Sequence, residues 1–179
     1  MRKSKAIFLD RDGVIIYDKD FIIEPSDMEF FPETVKALKA IPSDYLKIVV
    51  SNQSGVGRGY FTIEQLNLFN DNFLAELKKN GVFIDKLYYC PHSPDDNCNC
   101  RKPKPGMFEQ ARQRFGIDFS KSWMIGDKSS DILAGKNIGA RTILVKTGYA
   151  GGESGVSEVQ PDFYADNLFQ AVEIIINES

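Results

Sequence analysis

Asp10 and Asp12 are separated by a single residue and follow an apolar run, Ala6 to Leu9. Such a run is the pattern of a short buried strand. If the extended backbone continues through Asp12, both acidic side chains leave the same face. Two carboxylates so placed repel each other unless a cation or a shared proton relieves them. One reading is a site for a hard divalent ion, Mg²⁺, with one carboxylate free to act as nucleophile. The other is a turn in which Asp10 or Asp12 caps the backbone.

Further polar residues stand directly after other apolar runs. Ser51 and Asn52 follow Leu46–Val50, and Asp127 follows Ser122–Ile125. Arg101, Lys102 and Lys104 lie in the loop after a third run. In open α/β folds ligands bind beyond the carboxyl ends of the strands, so these residues are expected to share one site. Three acids, a hydroxyl, an amide and fixed positive charge suit phosphoryl transfer. A metal and an ammonium offset the phosphoryl charge while an ionised carboxylate attacks. Asp131 lies four residues after Asp127, on the same face if a helix has begun there. It would hold the metal's waters or orient Lys128, or else be an ordinary carboxylate at a helix N-terminus.

All three cysteines and the one histidine fall within Cys90–Cys100. Cys90, His92, Cys98 and Cys100 would complete a tetrahedral Zn²⁺ shell with no open position, which makes the site structural. It would pin a polar loop that leads directly into Arg101 and Lys102. A disulfide is the rival reading, but it strands one thiol and suits an oxidising compartment. Gly55, Gly57 and Gly59 fit neither a dinucleotide fingerprint nor a P-loop. They read as a backbone turning closely around a phosphate or sugar, or as a flexible connection.

The elements that would position these residues alternate. Strands are expected at Ala6–Leu9, Leu46–Val50, Val82–Tyr89, Ser122–Ile125, Arg141–Val145 and Phe163–Ala165. Helices are expected from Pro32 to Pro42, from a Thr62 cap to Gly81, and over Gly106–Phe115, Ser130–Asn137 and Asn167–Asn177. A polar loop joins Tyr17 to Phe31. Alternation of this kind gives an α/β, Rossmann-like three-layer fold with a mainly parallel sheet.

The chain of 179 residues is 42% hydrophobic and 26% charged, which fits one soluble domain over 1–179. A net charge of −3 gives no general attraction to nucleic acid or to an anionic membrane. No apolar stretch approaches the roughly 20 residues that span a bilayer. Met1–Lys5 runs straight into the first strand without a secretory apolar region, so a cytoplasmic protein is expected. A non-catalytic zinc-stabilised binding module would need clustered basic and aromatic residues, and the basic run here is only Arg101 to Lys104.

Taken together, Asp10-Arg11-Asp12-Gly13, Ser51-Asn52-Gln53, Arg101-Lys102-Pro103 and Gly126-Asp127-Lys128-x-x-Asp131 resemble, in order, the four motifs of the haloacid dehalogenase superfamily of phosphatases. The resemblance covers about residues 5 to 150 and includes the zinc loop. It implies a fold with minimal or no cap domain, often monomeric, acting on a small phosphorylated metabolite. Asp10 would be the nucleophile and Asp12 the general acid/base. Asp10, the backbone carbonyl of Asp12, and Asp127 would ligate Mg²⁺. Ser51 and Lys102 would hold the phosphoryl group, and Arg101 and Lys128 would contact substrate. Asp18 to Phe21 and Ser51 to Ser54 match substrate-loop positions. Val14 departs from the family's usual threonine. Lys104-Pro105-Gly106-Met107 and Gly57–Thr62 are more similar to members acting on a sugar bisphosphate than to those acting on histidinol phosphate. The second anionic group of such a substrate would need a partner away from the metal, with Arg58 and Arg101 as candidates.

Overall fold

The computed structural model describes residues 4–153, 157 and 159–178. Met1, Arg2 and Lys3, on which part of the expectation about the N-terminus rests, lie outside the described residues. Six strands form one sheet: β1 (Lys5–Leu9), β2 (Tyr45–Asn52), β3 (Lys86–Cys90), β4 (Trp123–Gly126), β5 (Arg141–Val145) and β6 (Phe163–Ala165). The order is β3-β2-β1-β4-β5-β6 and all five pairings are parallel. The fold is therefore the expected α/β type. The chain winds outward from β1 in both directions, and that reversal of order puts a crevice at the carboxyl ends of β1 and β4.

Among the described residues five helices cover the two faces: α1 (Thr34–Ala40), α2 (Ile63–Lys79), α3 (Gly106–Phe115), α4 (Ser129–Ile138) and α5 (Leu168–Asn177). β1 shows why its apolar run is continuous rather than alternating. Ile7 and Leu9 face Phe69 and Phe73 of α2 and Leu38 of α1. Ala6 and Phe8 face Met107 and Phe108 of α3 and Ala134 of α4. Both faces are buried, so every position must be apolar. The start of α2 is set by a reciprocal cap: the Gln65 N–H donates to Thr62 Oγ1, and the Thr62 N–H donates to Gln65 Oε1 at 2.8 Å.

The differences from expectation are local. β3 begins at Lys86, not Val82. Val82 instead closes the end of α2 through its N–H to Leu77 O at 2.9 Å. Asp85 then joins β2 at Lys47. Val82 and Ile84 are apolar because they pack against the core as a loop. α1 starts two residues after Pro32. Short 3₁₀ turns occupy Pro25–Asp27, Pro94–Asp96 and Phe119–Lys121. Among the described residues no helix is long and apolar enough to cross a membrane. No domain is inserted after β1 or β3, whose following loops hold only single 3₁₀ turns.

Candidate active site

Asp10 is the first residue past β1, and its N–H still donates to Ile125 O of β4 at 3.0 Å. The ladder ends there. The chain then turns through Gly13, with Ile15 and Ile16 both donating to Arg11 O. The regular strand stops at Leu9, yet Asp12 lines the same cleft as Asp10, and its charge is among those that raise the Asp10 pKa. A buried acidic cluster brings Asp10, Asp127 and Asp131 together, with one oxygen from each within 4.8 Å of the others. Gly13 has φ 83°, and a Cβ there would collide with the Asp127 carboxylate. Only glycine lets this turn close over the cluster.

Lys102 supplies the charge balance. Its buried ammonium lies 2.9 Å from Asp10 Oδ1 and 2.7 Å from Asp131 Oδ1, and donates to Val50 O at 2.7 Å. Two carboxylates thus pair with its charge, and a backbone carbonyl takes one of its hydrogen bonds. Burial lowers the Lys102 pKa, but Asp10 and Asp131 outweigh it and raise it above the ordinary value. Positive charge is still short. Burial and then the Asp131 charge push the Asp10 carboxyl up to about 6. Burial, then Asp10 and Asp131, push Asp127 up to about 8. Asp127 Oδ2 accepts the Tyr149 N–H at 2.8 Å, whereas its buried Oδ1 has no partner among the described residues. An unpartnered carboxylate oxygen among crowded acids fits a hard cation.

Asp131 lies at the third position of α4, where its Oδ2 accepts the Lys128 N–H at 3.1 Å. Asp127 precedes the helix, so the two acids do not share a helical face as expected. Asp131 is both the helix cap and a partner of Lys102. Lys128 pairs with Asp18 at 3.2 Å and lies 4.6 Å from the Tyr149 ring centre. Burial works against the Lys128 charge, but Asp10, Asp127 and Asp18 hold its pKa well above the ordinary value.

These groups open onto one cleft. Asp10, Asp12, Asp18, Phe21, Asn52, Gln53, Ser54, Arg101, Lys102, Lys128 and Asp131 line it, as the sequence led us to expect. Asp20, within the expected Asp18 to Phe21 stretch, lines it too, whereas Arg11, Ile22, Ser130, Tyr149 and Glu153 line it and were missed. Asp127 lies in the buried cluster behind the lining, and other expected residues also sit outside it. Ser51 is buried beneath Asp12 and Gln53 and is absent from the lining. Its Oγ accepts from Gln53 Nε2 at 2.7 Å and donates to Asp12 Oδ2 at 3.4 Å. Arg58 is exposed outside the cleft, with Nε 3.4 Å from Ser54 Oγ and its guanidinium 6.0 Å from the Phe21 ring centre. Asn52 and the Lys102 backbone exchange two bonds, 3.0 and 3.2 Å, which fixes the loop carrying Lys102. Arg101 Nη1 is buried with no hydrogen-bond partner among the described residues.

In the Gly-rich loop after β2, a Cβ on Gly57 would strike the backbone of Pro91–Ser93, and one on Gly55 would strike the Phe61 ring. The Gly57 N–H donates to Pro91 O at 2.8 Å. Gly57 therefore lets this loop lie directly against the cysteine loop. In that loop the Sγ atoms of Cys90, Cys98 and Cys100 and the Nδ1 of His92 form a compact group. Cys90 Sγ is 3.5 Å from Cys98 Sγ and 3.6 Å from His92 Nδ1, and Cys100 Sγ is 3.2 Å from both Cys90 Sγ and His92 Nδ1. The edges of a tetrahedral thiolate–imidazole zinc shell are about 3.4–3.8 Å. No disulfide is formed. Burial raises the Cys98 thiol pKa, but the Arg101 N–H and the other thiols outweigh it and bring it down to about 7. Burial pushes the Cys90 thiol up.

Comparison with known proteins gives this geometry its relatives. A family model described as HAD-hydrolase-like matches residues 99–171. The D-glycero-alpha-D-manno-heptose-1,7-bisphosphate 7-phosphatase of Photorhabdus laumondii is 39% identical over 182 residues, covering 97% of each chain. The chain belongs to the heptose-1,7-bisphosphate 7-phosphatase family of the haloacid dehalogenase-like hydrolases. It is a phosphatase, a phosphoric monoester hydrolase. A second member of the family, from Haemophilus ducreyi and named for the beta anomer, is 42% identical over 156 residues, covering 82% of this chain and 86% of that one. A crystal structure of the D,D-heptose 1,7-bisphosphate phosphatase from B. bronchiseptica, complexed with magnesium and phosphate, superposes with a TM-score of 0.86. It is 31% identical and the match covers 98% of this chain and 99% of that one.

Proposed function

We propose that the enzyme hydrolyses the 7-phosphate of a D-glycero-D-manno-heptose 1,7-bisphosphate and leaves the 1-phosphate in place, as one step toward a nucleotide-activated heptose. The observation that carries this reading is the end-to-end match to named 7-phosphatases, together with the buried acid and lysine cluster at the switch point. Asp10 attacks phosphorus. Its oxygen bonds to the phosphoryl group as the bond to the sugar oxygen breaks, and Asp12 supplies the proton that oxygen needs. Water then attacks the aspartyl-phosphate, Asp12 takes the water's proton, and Asp10 leaves as a carboxylate. Lys102 and the expected Ser51 hold the transferring group and its surroundings, Ser51 acting through Asp12 and Gln53. Asp10, the Asp12 carbonyl and Asp127 would hold Mg²⁺, the ion complexed in the B. bronchiseptica structure. When bound, the ion neutralises charge on the phosphoryl oxygens. Cys90, His92, Cys98 and Cys100 would hold a structural Zn²⁺. Their reduced thiols suit work in the cytoplasm, where the enzyme acts as a monomer.

The raised carboxyl groups give a pH signature. Asp10 and Asp127 titrate above their unfolded values, so their contribution to stability is full below the ordinary carboxylate range. It is lost as pH rises through about 6 and about 8 in the metal-free protein. Mg²⁺ therefore raises Tm more at pH 8 than at pH 5.5. A thermal scan in which the Mg²⁺ shift is the same at both values, or larger at the lower one, contradicts the assignment.

The distal phosphate goes to Arg101, whose buried Nη1 lacks a partner. Arg101→Ala raises KM for the bisphosphate about tenfold, the scale of one charge-assisted hydrogen bond, and changes KM for a small monophosphate less. Equal changes for both substrates remove Arg101 from this role. A second reading, histidinol phosphate, has one feature in its favour: Asp20, Phe21, Tyr149 and Glu153 also line the cleft and suit a cationic, aromatic substrate. Side-by-side kcat/KM values decide. Either heptose bisphosphate anomer should exceed histidinol phosphate, and the reverse order overturns the proposal.

A further inference from the structure

Arg11 stands between the two acids of the first motif, yet it points into the protein. It is 1% exposed, one of the largest fully buried side chains described. Burying a guanidinium is costly unless each face and donor finds a partner. Here one edge straddles the Asp12 carboxylate. Nε lies 3.3 and 3.2 Å from Oδ1 and Oδ2, and Nη2 lies 3.2 and 3.1 Å from the same two atoms. The other edge reaches α2, where Nη1 donates to Asn70 Oδ1 at 2.7 Å. The flat face lies over the Phe69 ring, 4.8 Å from its centre. Asp12 is held from the opposite side by Gln53 Nε2 at 2.7 Å.

This geometry points to Arg11 as a positioning residue: anchored on α2 by Phe69 and Asn70, it fixes the Asp12 carboxylate where that group takes the proton of the hydrolytic water. The inference rests on the assignment of Asp12 as acid/base. An arginine suits the task because its planar fork sets an orientation that a lysine point charge does not. All the groups around Asp12 are donors. The orientation they set is what Asp12 needs when water attacks the aspartyl-phosphate, its phosphorus–oxygen bond to Asp10 breaks, and the water's proton passes to Asp12. The first half-reaction depends less on this hold when the leaving group departs without a proton.

That asymmetry is the test. The enzyme with Mg²⁺ is mixed rapidly with p-nitrophenyl phosphate, whose nitrophenolate leaves unprotonated. In Arg11→Met the burst of nitrophenolate should keep nearly its original rate. Steady-state turnover should fall about 100-fold, the scale of an Å-sized misplacement, with the phosphoryl group accumulating on Asp10 and KM falling in step with kcat, so that kcat/KM holds. Arg11→Lys should recover only part of the loss. Asn70→Ala, which removes the anchor rather than the grip, should show the same split in smaller degree. If Arg11→Met does not fold, these two variants carry the test. A merely structural role slows burst and turnover together, and that result overturns the proposal. Asp12→Asn is run alongside. If it shows the split and the Arg11 and Asn70 variants do not, Arg11 falls and the acid/base assignment stands. If Asp12→Asn itself shows no split, both fall.

Discussion

Asp10→Asn is expected to lower kcat by at least about 10⁴-fold while the protein stays folded. The amide is nearly the same shape but a far weaker nucleophile. The rest of its effect follows from the cluster. Lys102 keeps its contacts to Asp131 at 2.7 Å and to Val50 O at 2.7 Å, so its ammonium is not abandoned. Removing one of three crowded carboxylates also relieves the repulsion that pushes Asp127 up to about 8. The metal-free variant should therefore melt no lower than the parent at pH 8, and its gain from Mg²⁺ should shrink. Purified Asp10→Asn with substantial turnover, in a sample checked for contaminating phosphatase, removes Asp10 as nucleophile.

Cys98→Ser should take the chain from one tightly held zinc to none. The loop it closes contains only one 3₁₀ turn between β3 and α3, so little else orders it. The four proposed ligands directly precede Arg101 and Lys102, and the Lys102 backbone is held by Asn52 at the end of β2. Loss of a structural metal belongs among the large single-site effects, about 3–5 kcal/mol, which lowers Tm by roughly 10 °C in a chain of this size. kcat/KM should fall as well, because Lys102 no longer sits between Asp10 and Asp131. Elemental analysis checks the first part and a melting curve the second. Parent protein purified without chelator and containing no zinc counts against the site.

The order of elements was legible because each strand buried on both faces is a short unbroken apolar run, and each helix repeats its apolar residues at helical spacing. Leu66, Phe69, Phe73 and Leu77 of α2 are all buried, as that spacing implies. Val82 and Ile84 misled because an apolar loop packed on the core looks like a strand. The acids of the site were legible as the first polar residues after apolar runs. Their partners were not. Asp10, Asp127 and Asp131 cluster because the carboxyl ends of β1 and β4 and the start of α4 meet there, a consequence of tertiary geometry that residue types do not announce. Nothing in the sequence marks Arg11 as buried, because its anchor, Asn70, is 59 residues away on another helix. Ser51 and Arg58 were read as ligand-binding from their motifs, whereas tertiary packing buries the first and leaves the second outside the cleft.

The central claim is the substrate and the bond cleaved. Phosphorus NMR of heptose 1,7-bisphosphate incubated with the purified enzyme and Mg²⁺ tests it most directly. The 7-phosphate resonance should be replaced by inorganic phosphate while the anomeric 1-phosphate resonance persists in equal amount to the starting sugar. Loss of the 1-phosphate signal first, or an unchanged spectrum from enzyme that readily hydrolyses histidinol phosphate, contradicts it.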